Sequence, residues 1–234
     1  MTDPAVVVDQ IIRRTRYLLL DFDGPICDIF AGHPAPTVAE QLRSLITSQG
    51  IQIPADIAHC ADPIEVFAYS ATIGPDLAAK VEAEMADQEV AAVATARPAA
   101  YVHDVVISAR ESGRAVGVVS NNSERAVRAY LDQHGLADRI DYISARTSPD
   151  PALLKPHPHL LQQAITELDA PHNECVLVGD QPTDMQAART TGIDSIGYAN
   201  KPGKTHTLAQ AGATAVVTSL AELVLPLRAR PLPN

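Results

Sequence analysis

Two aspartates with one residue between them, Asp21 and Asp23, follow the apolar run Tyr17-Leu18-Leu19-Leu20, and Gly24 comes next. A second apolar run over residues 175–179 ends in Asp180, with Asp184 four residues on. A third, over 115–119, ends in Ser120, Asn121 and Asn122, and Lys155 sits in the loop Leu153-Leu154-Lys155-Pro156. Carboxylates gathered this closely repel one another unless a cation lies between them, and a hard, oxygen-rich ligand set favours Mg²⁺. The same cation lets an anionic nucleophile approach an anionic phosphate. An Asp-x-Asp pair can then divide the labour: the first carboxylate attacks, and the second handles the proton of the leaving oxygen. Ser120, Asn121 and Lys155 would bind the phosphoryl oxygens, and Lys155 would also offset local negative charge.

Such residues must be delivered by strands. The runs at 17–21, 115–120 and 175–180, with weaker ones at 142–144, 193–198 and 215–217, are apolar on both faces rather than alternating, as buried parallel strands are. Between them, helical patterns cover 99–111, 123–134, 158–168 and 183–190, and Gly113, Gly135 and Gly192 mark three of their ends. The alternation predicts an α/β fold, a doubly wound Rossmann-like parallel sheet, whose ligands bind at the carboxyl ends of the strands. Residues 28–97 break the pattern. They hold no convincing strand but helical stretches near 37–48, 63–72 and 76–94, interrupted by Pro54, Pro63 and Pro75. This reads as an α-helical cap inserted at 28–97 into a core made of 1–27 and 98–234. The crossings near Gly32-His33-Pro34 and Arg97-Pro98 have the Gly/Pro content of hinges. The Pro-rich residues 226–234 read as a loose tail.

The segments LLLDFDGPICD, VVSNNS, LLKPHP and GDQPTD resemble, in order, the four motifs of the haloacid dehalogenase-like hydrolase superfamily. The likeness covers residues 17–27 and 98–200, and the block at 28–97 resembles the cap that the phosphoglycolate-phosphatase-like and β-phosphoglucomutase-like subgroup inserts after its first motif. The resemblance implies that Asp21 is a nucleophile forming an aspartyl-phosphate. It implies that Asp23 is the general acid and base and lends its backbone carbonyl to Mg²⁺. Asp180 would complete the metal ligands, with Asp184 supporting the metal and Lys155. The superfamily's dehalogenases typically lack the second aspartate, so Asp23 disfavours dehalogenation. Two departures, Pro25 after Gly24 and Asp28-Ile29 in place of Asp-Ser, touch no reacting group.

Composition narrows the partners. Over 234 residues, 18 Lys and Arg against 28 Asp and Glu give a net charge of −10, which argues against a phosphate-backbone footprint and against an anionic membrane surface. The 4% aromatic content and the lack of tryptophan argue against stacking platforms for single strands. No apolar run reaches the roughly 18 residues of a spanning helix. The first residues place acid before the apolar stretch and arginines after it, the reverse of a secretory signal. Cys27, Cys60 and Cys175 are too scattered for a disulfide scaffold or a Cys-x-x-Cys site, so reduced thiols in a cytoplasmic setting are expected. His157 and His159 flank a proline without a third ligand nearby, and Arg13, Arg14 and Arg16 read as a solvated helix end. The leading expectation is a Mg²⁺-dependent phosphatase of a small phosphorylated metabolite. A phosphomutase on the same scaffold and a catalytically weak binding or regulatory protein are the alternatives, and the oligomeric state, monomer or homodimer, stays open.

Overall fold

The computed structural model describes residues 4–229. Helix α1 (Pro4–Arg14) leads into β1 (Tyr17–Leu20), then the two-residue strand β2 (Cys27–Asp28). Four helices follow: α2 (Ala35–Ser48), α3 (Ala55–Ala58), α4 (Pro63–Ile73) and α5 (Pro75–Val93). The chain returns through β3 (Arg97–Pro98) and α6 (Val102–Glu111) to β4 (Ala115–Ser123), α7 (Glu124–Gln133) and β5 (Tyr142–Arg146). Then come α8 (His159–Glu167), β6 (Cys175–Gly179), α9 (Pro182–Thr191), β7 (Asp194–Tyr198), α10 (Lys204–Gln210), β8 (Ala215–Val217) and α11 (Ala221–Arg228).

Six strands form one parallel sheet in the order β5-β4-β1-β6-β7-β8. This is the doubly wound arrangement, and its order reverses beside β1, which opens a crevice at the strands' carboxyl ends. β1 lies in the middle, so Leu18, Leu19 and Leu20 are each at most 1% exposed, and burial of each contributes roughly 1.5–3 kcal/mol. Helices α1, α6, α7 and α11 cover one face, where Ile12, Val105, Val127 and Leu223 share one apolar cluster with Leu18 and Leu20. Helices α8 and α9 cover the other, and its apolar cluster continues from Leu19 and Leu177 through Leu161 to Leu42, Phe67 and Val81 of the inserted helices.

Sequence pattern and structure differ at three places. Where no strand was expected, the entry to and exit from the helical block carry one: Cys27 opposes Pro98 and Asp28 opposes Arg97 in a two-stranded antiparallel ribbon. Strands of two residues are too short to show a period, so this pairing leaves no sequence signal. Pro226 lies inside α11 instead of opening a loose tail, because Leu223 and Leu227, four residues apart, are fully buried and hold the turn. The rest of the expected tail, residues 230–234, lies outside the described residues. The arginines at the end of α1 are paired as well as solvated: Arg13 with Asp9, Arg14 with Asp194 and Arg16 with Glu174.

Candidate active site

Register brings the motif residues to one level. Leu20 pairs with Val118 on one side and Val178 on the other. One step beyond lie Asp21, Val119 and Gly179, and the next step carries Ser120 and Asp180. The Asp21 amide still donates to the Val178 carbonyl at 2.9 Å, so the backbone at Asp21 is fixed by the sheet.

Lys155 is the hub. Its ammonium donates to Asp21 Oδ1 at 2.8 Å, Asp184 Oδ1 at 2.6 Å and the Val119 carbonyl at 3.0 Å, which uses all three protons. The lysine is 5% exposed. Burial alone would lower its pKa, but Asp184 and Asp21 more than reverse that and raise it, so the ammonium stays charged. Its backbone is held too: the Asn121 amide donates to the Lys155 carbonyl at 3.1 Å, and Asn121 Oδ1 accepts from the Lys155 N–H at 2.8 Å.

Three buried carboxylates, Asp21, Asp180 and Asp184, present oxygen atoms within 4.8 Å of one another. Burial and then the Asp184 charge push the Asp21 carboxyl well above the usual range, with Lys155 opposing them. Asp180 is likewise raised by burial, against Lys204. Its Oδ2 accepts from Asn200 at 3.1 Å and from Lys204, whereas its buried Oδ1 has no hydrogen-bond partner. A buried carboxylate oxygen without a partner, beside two other carboxylates, fits a hard divalent cation. Gly24 makes room for it: at φ +112°, a Cβ there would lie 2.4 Å from Asp180 Cγ. Asp184 fits under the same glycine logic, since a Cβ at Gly179 would meet its carboxylate at 2.4 Å. Asp184 Oδ2 also accepts from the Gln181 N–H at 2.9 Å and so closes the first turn of α9.

Asp23 stands apart from the trio. It is half-buried, and its Oδ1 accepts from the Ile29 N–H at 3.2 Å. Burial pushes its carboxyl up to about 6, helped by Asp180 and Asp28, while the Ile29 hydrogen bond and Lys201 pull the other way. Pro25 costs this turn nothing, because the N–H groups of Ile26 and Cys27 both reach the Phe22 carbonyl and Gly24 N–H reaches Cys27. Cys27 is fully buried and its thiol is pushed up by burial, as suits a packed neighbour and not a nucleophile.

The Ser120 hydroxyl is turned inward: it donates to Asn122 Oδ1 at 3.2 Å and accepts from the Asn122 N–H at 3.0 Å. Asn121 and Asn122 line a cavity of about 700 Å³, together with Asp21, Asp23, Lys155 and Asp184 on the sheet side. Its other wall comes from the inserted helices, with Phe30, Asp62, Ile64, Glu65, Met85 and Glu89.

Sequence reasoning missed what joins that wall to the strand ends. Glu89 of α5, 1% exposed, accepts from the Ser123 N–H at 2.7 Å and the Asn122 amide at 3.2 Å. Arg146 at the end of β5 meets both Glu89 oxygens, at 3.1 and 2.9 Å, and donates to Glu82 at 3.1 Å. It also donates to the Asn121 carbonyl and lies 5.8 Å from the Phe67 ring centroid. One signal was available: Val81, Met85, Glu89 and Ala92 recur at helical spacing, which places a carboxylate in an apolar stripe.

A parallel sheet with three acidic residues and a buried lysine at its carboxyl edge, in this motif order, defines a class. Residues 18–198 match the family model described as haloacid dehalogenase-like hydrolase, and the chain belongs to that family. Within it, the chain is similar to phosphoglycolate phosphatases. It is 26% identical to that of Xylella fastidiosa over 188 residues, 77% of this chain and 79% of the relative. It is 34% identical to that of Rhodospirillum rubrum over 116 residues, a match spanning 47% of this chain and less than half, 45%, of that protein. Among solved structures, a predicted phosphatase from Clostridium acetobutylicum superposes with a TM-score of 0.67 at 18% identity, covering 90% of this chain and 97% of the other, a likeness of fold.

Proposed function

We propose that this protein is a Mg²⁺-dependent phosphatase that hydrolyses a small phosphorylated metabolite through an aspartyl-phosphate on Asp21. The observation that carries the reading is the buried trio Asp21, Asp180 and Asp184 around the Lys155 ammonium, with Asp180 Oδ1 unpartnered. Membership of the hydrolase family and likeness to phosphoglycolate phosphatases support it. Mg²⁺, held by Asp21, Asp180 and the Asp23 carbonyl, would offset the charge of the phosphoryl oxygens so that a carboxylate can approach them.

Asp21, aimed by the Lys155 ammonium at 2.8 Å, attacks phosphorus. The bond from phosphorus to the ester oxygen breaks, its electron pair leaves on that oxygen, and Asp23 supplies the proton. A water then attacks phosphorus, Asp23 takes its proton, and the bond to Asp21 breaks to release inorganic phosphate. A carboxyl near 6 suits both halves, because it exchanges a proton close to neutrality in either direction. The Ser120 hydroxyl is engaged by Asn122, whereas Asn121 fixes the Lys155 backbone with its oxygen and one amide proton and, lining the cavity, keeps its second proton for a phosphoryl oxygen.

The helical block at 28–97 acts as a cap that excludes water during the first transfer. Among the described residues no helix is long and apolar enough to cross a membrane. The test is phosphate release from a panel of phosphate esters, with Mg²⁺ and with chelator, for the native protein and Asp21→Asn. Release that needs Mg²⁺ and disappears in the variant is expected. Release that survives chelation or the substitution overturns the assignment.

A further inference from the structure

The cavity wall that faces away from the phosphate site has a consistent chemistry. Among the described residues, Lys155 is the one Lys, Arg or His that lines the cavity, and its three protons are spent on Asp21, Asp184 and Val119. Nothing cationic remains for a second anion on the substrate. Of the cations nearby, Arg146 is committed to Glu82 and Glu89, Arg43 to the Cys60 carbonyl, Lys80 to Gln49 and Lys204 to Asp180, while Lys201 acts on Asp23 without lining the cavity. Arg97, on the ribbon, does not line the cavity.

A helix N-terminus could serve an anion in their place, and α4 begins in this wall. That end is already closed. Asp62 accepts from the Ile64 N–H at 2.8 Å, and Pro63 brings no donor. In the same first turn, Glu65 lines the cavity, is exposed, and has no hydrogen bond or ion pair. The remaining surface of the wall is apolar, from Phe30, Ile64 and Met85. A leaving group bearing a carboxylate or a phosphate would therefore meet the carboxylates of Asp62 and Glu65, with Glu89 already paired to Arg146, and no free counter-charge. The volume of about 700 Å³ falls in the range that holds whole organic ligands, roughly 300–1,000 Å³, and leaves room for more than a two-carbon acid.

We infer that the substrate is a phosphomonoester whose leaving alcohol carries no anionic group, an uncharged or amine-bearing alcohol whose polar end faces Glu65 and whose carbon skeleton lies against Phe30 and Met85. This deepens the phosphatase reading and rests on it. It also sets this chain apart from what the names of its relatives suggest, because phosphoglycolate carries a carboxylate on its leaving group.

The test compares kcat/KM, with Mg²⁺, for p-nitrophenyl phosphate, glycerol phosphate, phosphoethanolamine, phosphoglycolate and pyrophosphate. Glycerol phosphate or phosphoethanolamine is expected to exceed both phosphoglycolate and pyrophosphate by at least about tenfold, a difference of about 1.4 kcal/mol. Glu65→Lys is expected to raise the ratio of phosphoglycolate to glycerol phosphate by a similar factor, through KM more than kcat. Phosphoglycolate or pyrophosphate turned over as well as the uncharged esters would overturn the inference and leave the phosphatase reading standing. An unchanged ratio in Glu65→Lys would overturn the role of this wall. Silence with every ester, p-nitrophenyl phosphate included, would remove the phosphatase reading and the inference together.

Discussion

Replacing Glu89 by alanine strips Arg146 of its bidentate partner while the guanidinium stays in place, with its side chain 1% exposed. Breaking a buried ion pair from one side costs about 3–5 kcal/mol, because the surviving charge is left without compensation. Glu82 still reaches Arg146 at 3.1 Å, which favours the lower end of that range. The Ser123 N–H and the Asn122 amide lose their acceptor as well, so the total stays near ~3 kcal/mol or above. For a chain of this size one kcal/mol shifts Tm by roughly 2–4 °C, so a fall of about 6–12 °C is expected. Thermal unfolding followed by circular dichroism or calorimetry reads it directly. The double variant Glu89→Leu with Arg146→Met removes both charges, and it should recover more than half of the loss, because well-packed apolar pairs replace buried ion pairs at little cost. A Tm within about 2 °C of the parent for Glu89→Ala would refute the reasoning. That is the scale of an exposed ion pair, and it would mean that water reaches Arg146 in solution.

Four further outcomes are expected. Asp21→Asn abolishes phosphate release while far-UV circular dichroism and Tm stay close to the parent, because the isosteric amide keeps an oxygen for the Lys155 ammonium at 2.8 Å. Mg²⁺ at about a hundred times its Kd adds about 2.7 kcal/mol of stability and raises Tm, and Asp180→Ala loses that rise, as a Mg²⁺ titration followed by thermal shift would register. Burial pushes the Cys175 thiol up to about 11, so at pH 8 roughly one molecule in a thousand carries the thiolate. Alkylation of native protein should therefore label half-buried Cys60 first, with Cys175 following only as pH rises toward 11, as peptide mass spectrometry would show. Arg114→Ala costs about 2–4 kcal/mol in denaturant unfolding, since the buried guanidinium donates to the Thr15 and Ile12 carbonyls at 2.9 and 3.0 Å and to Ser112 Oγ at 2.6 Å.

What sequence makes legible here follows from chain distance. Asp21, Asp23 and Asp180 each stand at the end of an apolar run, and a parallel sheet converts that local fact into a shared location. Lys155 needed only a loop that returns to the same edge. Side-chain direction is a different matter. The types and spacing of Ser120 and Asn121 suggest donors for a phosphate, yet the hydroxyl turns to Asn122 and the amide to a backbone 34 residues away. Glu89 shows both sides of the limit. Its place in an apolar stripe is visible in the α5 sequence, but its partner Arg146 lies 57 residues on, across the boundary between the inserted helices and the sheet. Pro226 shows how packing overrides propensity, as burial of Leu223 and Leu227 offsets the ~3 kcal/mol or more that proline costs inside a helix.

The proposed division of labour between Asp21 and Asp23 has a physical basis in how differently two carboxylates two residues apart are surrounded. Asp21 belongs to the sheet: its N–H completes the β-ladder, its Oδ1 accepts from the Phe22 N–H at 2.7 Å, and Lys155 meets the same oxygen at 2.8 Å. Donors so placed favour the ionised form a nucleophile needs, against the burial and the neighbouring acids that raise its pKa. Asp23 lies beyond the strand, bonded to one N–H of the loop that leads to the inserted helices, and its carboxyl near 6 is raised chiefly by burial. A carboxyl raised in this way favours the folded state below its ordinary pKa and loses that advantage as pH climbs through 6, so the fold tolerates its protonated form. The loop that carries Asp23 also runs into the inserted helices, through the ribbon in which Cys27 and Asp28 oppose Pro98 and Arg97.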